Sequence, residues 1–122
     1  MKRVLEPEVM CGANATAYAD APLDDVNLEF CQRLLRSFPE LGSGQTAKVL
    51  DVGCGPGDIA VWLAEQNHAL ELTLVDASRD MLDFAKRRVE HRGLNARFEL
   101  HHARVPGAEL RPAAFDYLVS NT

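Results

Sequence analysis

An open α/β sheet of four parallel strands with helices on both faces is predicted by three observations. Short strand-like runs recur at Lys48 to Val52, Leu70 to Asp76, Ala96 to His102 and Phe115 to Asn121, the first of them apolar and rich in β-branched residues. Such runs read as strands covered on both faces. Helical stretches separate the first three of them, and a helical crossover makes neighbouring strands parallel with a right-handed connection. Last, Gly53, Gly55 and Gly57 follow the first strand at every second residue and open the next helix. A turn of that kind lets backbone approach a ligand at the carboxyl end of a strand.

The elements follow in order. Residues 1 to 23 carry Pro7, Gly12 and Pro22 with small residues between, a pattern of irregular chain. Asp24 or Asp25 caps a helix running to about Ser37, with Val26, Phe30, Leu34 and Leu35 at helical spacing and Leu28 and Cys31 widening the stripe. Pro39 stops it, and Gly42-Ser43-Gly44 makes a joint into the first strand. The chain thus divides into an N-terminal segment with a covering helix, 1–46, and a site-bearing part, 47–122, within one domain. Asp58 to about Asn67 forms the helix after the glycine turn. Ser78 to Arg92 forms the next, capped by Ser78 and ended by Gly93. Asp80 lies in its first turn, and Lys86, Arg87, Arg88, His91 and Arg92 crowd its last turns, each sign suiting the helix dipole. Met81, Leu82, Ala85 and Val89 make its apolar stripe, and Lys86-Arg87-Arg88 reads as a solvated face.

Composition narrows the classes. A chain of 122 residues with 47% hydrophobic and 25% charged residues is one globular domain. Its net charge of −5 argues against a broad nucleic-acid footprint. Lys2 and Arg3 are followed by no apolar run, and no segment has the length of a membrane span, so a cytoplasmic protein is expected. Without a secretory signal, Asn14-Ala15-Thr16 carries no meaning as a glycosylation pattern. Cys11, Cys31 and Cys54 are odd in number and lack metal-ligand spacing, which reads as reduced thiols and no metal site. Cys54 is a small filler of the glycine turn.

Charge and spacing choose the ligand. Asp51 stands two residues before the first glycine, and Asp58 lies in the first turn of the following helix. One unit charge at ~5 Å and an effective dielectric near ~20 is worth ~3 kcal/mol. Two carboxylates there disfavour a pyrophosphate, which otherwise uses the positive helix end, and favour an amine or sulfonium. In the dinucleotide pattern G-x-G-x-x-G/A the third small residue would fall on Asp58. Asp76 ends the second strand 19 residues beyond Gly57, placed to accept both ribose hydroxyls of an adenosine-type ligand, whether NAD or S-adenosylmethionine.

At Asp51, Gly53, Gly55 and Gly57 the chain resembles the class I S-adenosylmethionine-dependent methyltransferases, whose first motif is an acidic residue followed by G-x-G-x-G. The resemblance implies a Rossmann-like sheet in the order 3-2-1-4 and S-adenosylmethionine as cofactor, held by Asp51, Gly53, Cys54, Gly55, Gly57 and Asp76. It also implies that Ala77 to Met81 border the adenine, with Met81 either core or cofactor contact. Tyr18 is either a packing anchor for the N-terminal segment or a lid over the ligand. Family members commonly carry an acidic residue after the third strand. Here Arg104 stands in that place, so backbone groups of Arg104 or Val105 would read the adenine edge. His101 and His102 lie near the ligand edge, as satisfied or exposed histidines or as a general base.

The fourth strand ends at Ser120-Asn121, which the resemblance places at the active site, Asn121 beside the cofactor. The family continues with further strands and helices. The resemblance thus covers nearly all of this sequence but only the front half of that domain. The implied protein is a truncated, cofactor-binding half that does not turn over alone and exposes its fourth strand to self-association. The intact function is methyl transfer to an unidentified, small-molecule acceptor. No residue has to be a catalytic nucleophile, because the sulfonium is an activated donor. No Asn-Pro-Pro-Tyr-like motif follows the fourth strand, which argues against amino-group methylation of nucleobases. An NAD(P)-dependent oxidoreductase is one alternative, although it should prefer an apolar residue at position 51 and no carboxylate at 58. A non-catalytic nucleotide-binding or interaction module is the other.

Overall fold

Four parallel strands in the order β3-β2-β1-β4 form the sheet, as the sequence led us to expect. The computed structural model describes residues 23–103 and 114–120. Expectations resting on Tyr18, Arg104, Val105, Asn121 and Cys11 fall outside those residues.

Helix α1 (Asp25–Ser37) is capped by Asp24, whose carboxylate accepts the Asn27 backbone N–H at 2.8 Å. This satisfies one of the donors a helix start leaves unpaired. Pro39 ends the helix but also begins a short 3₁₀ turn, Pro39–Gly42, whose Leu41 is fully buried. Strand β1 (Ala47–Val52) pairs with β2 (Leu70–Asp76) from Ala47↔Leu70 to Val52↔Val75. Helix α2 (Asp58–Gln66) is the crossover between them, and α3 (Arg79–His91) leads to β3. Ser78 caps α3 by accepting the Met81 backbone N–H. Gly93, at φ 69°, ends it, with the Leu94 N–H on the Val89 carbonyl and the Gly93 N–H on the Glu90 carbonyl. This is the paired C-terminal motif that glycine permits.

The core lies between α1, α2 and α3 and one face of the sheet; helices on both faces were expected, but the three described helices all pack on this one. Ala47, Val49, Leu70, Leu72, Leu74 and Val119 meet Ile59, Ala60, Leu63, Ala85 and Val89 there. Burial of such side chains contributes ~1.5–3 kcal/mol each for the larger ones.

Two strands are shorter than the sequence suggested, each for a visible reason. Strand β3 (Phe98–His102) begins after a 3₁₀ turn, Asn95–Arg97. Arg97 is drawn away from the sheet, its guanidinium donating to the carbonyls of Ala64, Asn67 and Leu70. The Ala64 carbonyl lies in the last turn of α2, where carbonyls lack a helical partner, while Asn67 follows that helix and Leu70 opens β2. Strand β4 is only Tyr117–Val119. Asp116 joins β1 through its side chain, Oδ2 accepting the Lys48 N–H at 2.8 Å, as well as through its own N–H to the Lys48 carbonyl. On this edge Leu118 is 59% exposed.

Asn67, 1% exposed, ties the pole opposite the glycine turn. Its amide nitrogen donates to the Leu41 and Gln45 carbonyls and its oxygen accepts the Ala69 N–H. Both donors and the oxygen of that amide then have partners, as burial demands.

Candidate functional site

The three glycines sit at the carboxyl end of β1 with φ of 68°, 58° and 83° for Gly53, Gly55 and Gly57. Side chains rarely adopt that conformation, so this turn can be built only from glycines without strain. It is fastened to the neighbouring strand: the N–H groups of Gly53 and Cys54 both donate to the Val75 carbonyl, at 2.8 and 3.0 Å. Gly57 also has a packing reason. It is buried, and a Cβ there would meet the Ala85 Cβ at 3.3 Å, so it lets α2 start against α3.

Asp76, 2% exposed, closes the site from β2. Its Oδ2 accepts the Gly55 N–H and its Oδ1 the Ser78 N–H, each at 2.8 Å. One carboxylate therefore spans both βα turns, and its plane is set before any ligand arrives. The capping role expected for Ser78 is separate, carried by its hydroxyl.

Asp51 is buried, 3% exposed, and alternates with Ala47 and Val49 onto the core face. Its charge is felt by Cys31. Burial chiefly, and then the carboxylates of Asp51 and Asp24, push that thiol up to about 12. A thiol so raised is no nucleophile at neutral pH. Cys54 is half-buried, with its Sγ 3.2 Å from the Gly55 carbonyl oxygen.

Asp58 corrects the charge argument. Arg88, 4% exposed, forms an ion pair with it across α2 and α3, and the Asn27 amide lies 3.5 Å from its second oxygen. The carboxylate is neutralised locally, so it adds little negative field at the turn. The same pair corrects the reading of Lys86-Arg87-Arg88: Lys86 and Arg87 are exposed, but Arg88 is core-facing. The sequence held a signal for this, since Arg88 falls three residues after Ala85 on the apolar stripe.

Ala77 is exposed beside Asp76, and Met81 is half-buried one turn into α3. The two histidines part company. His101 lies near Glu99, at 3.5 Å, whereas His102 bridges the Ala77 carbonyl and the Arg79 guanidinium. A groove of about 240 Å³ lined by Lys48, Glu71, Thr73, Arg97, Glu99 and Phe115 opens at the amino-terminal pole, away from this chemistry.

A parallel sheet with a glycine turn on β1 and an oriented carboxylate on β2 defines a nucleoside-binding α/β domain. Comparison with known proteins then names its family. Residues 49–122 match the model described as "Methyltransferase domain", and the chain belongs to that family. It is 37% identical over 84 residues to the release factor glutamine methyltransferase of Chlorobaculum tepidum, covering 66% of this chain and 29% of that protein. It is likewise 37% identical over 71 residues to the tRNA 5-carboxymethoxyuridine methyltransferase of Escherichia coli, covering 58% of this chain and 26% of the relative. The crystal structure of coclaurine N-methyltransferase bound to N-methylheliamine and SAH shares the fold at a TM-score of 0.66 and 20% identity. That match covers 83% of this chain and 28% of the other. The chain thus spans less than a third of each of these three proteins. No helix among the described residues is long and apolar enough to cross a membrane.

Proposed function

We propose that this chain holds S-adenosylmethionine on the glycine turn and Asp76, for transfer of its methyl group to an acceptor. The observation that carries the reading is the Asp76 carboxylate, held at 2.8 Å by both the Gly55 and Ser78 N–H groups beside a turn of left-handed glycines. The donor set fits the group: an acceptor-only carboxylate suits vicinal hydroxyls, and glycines without side chains suit a close backbone approach. The methionyl sulfonium supplies an activated methyl group when bound. The chain's own residues orient the nucleoside from Asp76 and Ala77 and leave room for the methionyl part at Gly53 to Gly55. Residues 47–122 form this holding half, and residues 1–46 bring the covering helix.

The acceptor follows less directly. The named relatives act on a protein glutamine and a tRNA uridine. With a net charge of −5 this chain favours an acceptor without a phosphate backbone, so a small molecule is the reading we keep. One observation favours a second ligand: Arg88 compensates Asp58, which removes one obstacle to the pyrophosphate of NAD. Calorimetry with S-adenosylhomocysteine and NAD side by side separates the two. Micromolar binding of the first and none of the second is expected. Binding of NAD alone would turn the assignment to an oxidoreductase, and binding of neither would leave an interaction module.

A further inference from the structure

The turn between β2 and α3 is held from a third element. His102 ends β3 in register with Asp76. Its Nε2 lies 2.9 Å from the Ala77 carbonyl oxygen, and its Nδ1 lies 3.2 Å from the Arg79 guanidinium. A carbonyl only accepts and a guanidinium only donates. Both contacts are hydrogen bonds only for the neutral ring with its proton on Nε2. Arg79 thereby selects the tautomer that grips Ala77.

The Ala77 carbonyl and the Ser78 N–H belong to the same planar peptide unit. His102 holds that unit by its C=O, and Asp76 Oδ1 holds it by its N–H, at 2.8 Å. Fixing the carbonyl direction therefore fixes where the N–H points, and the N–H sets the plane of the Asp76 carboxylate. The Ala103 N–H, donating to the Asp76 carbonyl at 3.1 Å, anchors the same strand end. The two groups that hold this peptide, His102 on β3 and Asp76 on β2, lie on different strands, so the arrangement does not arise from α3 capping alone.

We propose that His102 is a positioning residue for Asp76, acting through the 77–78 peptide and kept in the required tautomer by Arg79. This rests on Asp76 being the anchor of the ribose. It gives the third strand a part in nucleoside recognition that neither histidine's position in sequence announces.

The test is calorimetric titration of the full chain with S-adenosylhomocysteine and with adenosine. Loss of one surface-accessible hydrogen bond predicts that His102→Ala weakens both ligands by the same factor, about 3- to 10-fold. His102→Gln, whose amide offers a donor and an acceptor, should recover affinity to within about twofold. Arg79→Ala should lose about 2- to 5-fold, because the ring remains but its tautomer is no longer selected. In an Asp76→Ala background, His102→Ala should cost nothing more. Unchanged affinity in His102→Ala, a glutamine variant as weak as the alanine one, or additive losses with Asp76→Ala would each overturn the proposal. Should His102→Ala fail to fold by circular dichroism, Arg79→Ala and His102→Gln decide alone: weak and recovered supports it, both unchanged overturns it. An unaltered chain that binds no S-adenosylhomocysteine overturns the cofactor assignment and this inference together, whereas failure of the variants alone leaves that assignment standing.

Discussion

The Gly55 N–H donates to Asp76 Oδ2 at 2.8 Å, so the turn after β1 and the turn after β2 share one carboxylate. The carboxyl edge of β1 and β2 is thus a single hydrogen-bonded unit and not two loops that happen to be adjacent. Asp76→Ala should lose the ribose anchor and loosen the glycine turn, weakening S-adenosylhomocysteine by ~1–3 kcal/mol. Asp76→Asn should fall short of full recovery, because an amide has one acceptor oxygen where two backbone donors converge. Calorimetry on the three chains checks both, and equal affinity across them would remove Asp76 from the site.

Gly57 carries two constraints and Gly93 only one. A Cβ at Gly57 faces Ala85 at 3.3 Å and sits at φ 83°, whereas a Cβ at Gly93 meets nothing within 4 Å. Gly57→Ala should therefore destabilise by about 2 kcal/mol and Gly93→Ala by about 1 kcal/mol, the left-handed backbone penalty without the clash. Urea unfolding midpoints measure the difference, and equal losses would show that packing against α3 does not matter.

Arg88 and Asp58 form the buried ion pair that joins α2 to α3. Arg88→Met should cost about 3 kcal/mol, because it strands a largely buried carboxylate. The double variant Arg88→Met, Asp58→Asn should regain most of it, since a well-packed neutral pair replaces two desolvated charges. A double variant as unstable as the single one would mean that the pair's geometry, not its charge balance, holds the helices.

Tyr117 donates to Glu40 Oε1 at 2.6 Å and packs edge-on against Phe38, tying β4 to the 3₁₀ turn. The hydrogen bond lowers the Glu40 carboxyl below its ordinary value, and Glu40 pushes the Tyr117 phenol up to about 12. A depressed carboxyl contributes stability that is present above its unfolded pKa of 4.5 and lost as pH falls below it. A raised phenol contributes stability that is present below 10.0 and lost as pH rises towards about 12. Tyr117→Phe should flatten both limbs of a stability-against-pH profile measured by urea unfolding. A profile identical to the unaltered chain's would show that solvent outcompetes the contact.

Local patterns announced most of the scaffold. The α1, α2 and α3 limits, the parallel strands and the glycine turn follow from apolar periodicity, caps and glycine spacing, which act over a few residues, whereas the strand order came from the family resemblance. The two strand starts that moved did so through partners far along the chain: Arg97 reaches the α2 carbonyls, and Asp116 reaches Lys48. Among the candidate site residues, Gly55 and Asp76 were legible because the pattern makes their two strands neighbours, whereas Asp51 lies buried on the core face. His102 was legible as a position but not as a bridge, since nothing local says that Arg79 and Ala77 will face it.

What this chain's sequence determined by itself is the type and order of its elements and the edge where a ligand would meet them. Backbone propensity and period-two or period-3.6 burial are encoded in neighbours, so they survive without knowledge of the whole. Only the tertiary structure decided which charges remain available. Asp58 and Asp51 look alike in sequence, two carboxylates flanking one turn, but Arg88 arrives from 30 residues away to neutralise the first. The second is buried on the core face near Cys31. Coulomb energies depend on separation in space and on burial, and neither quantity is a function of sequence distance.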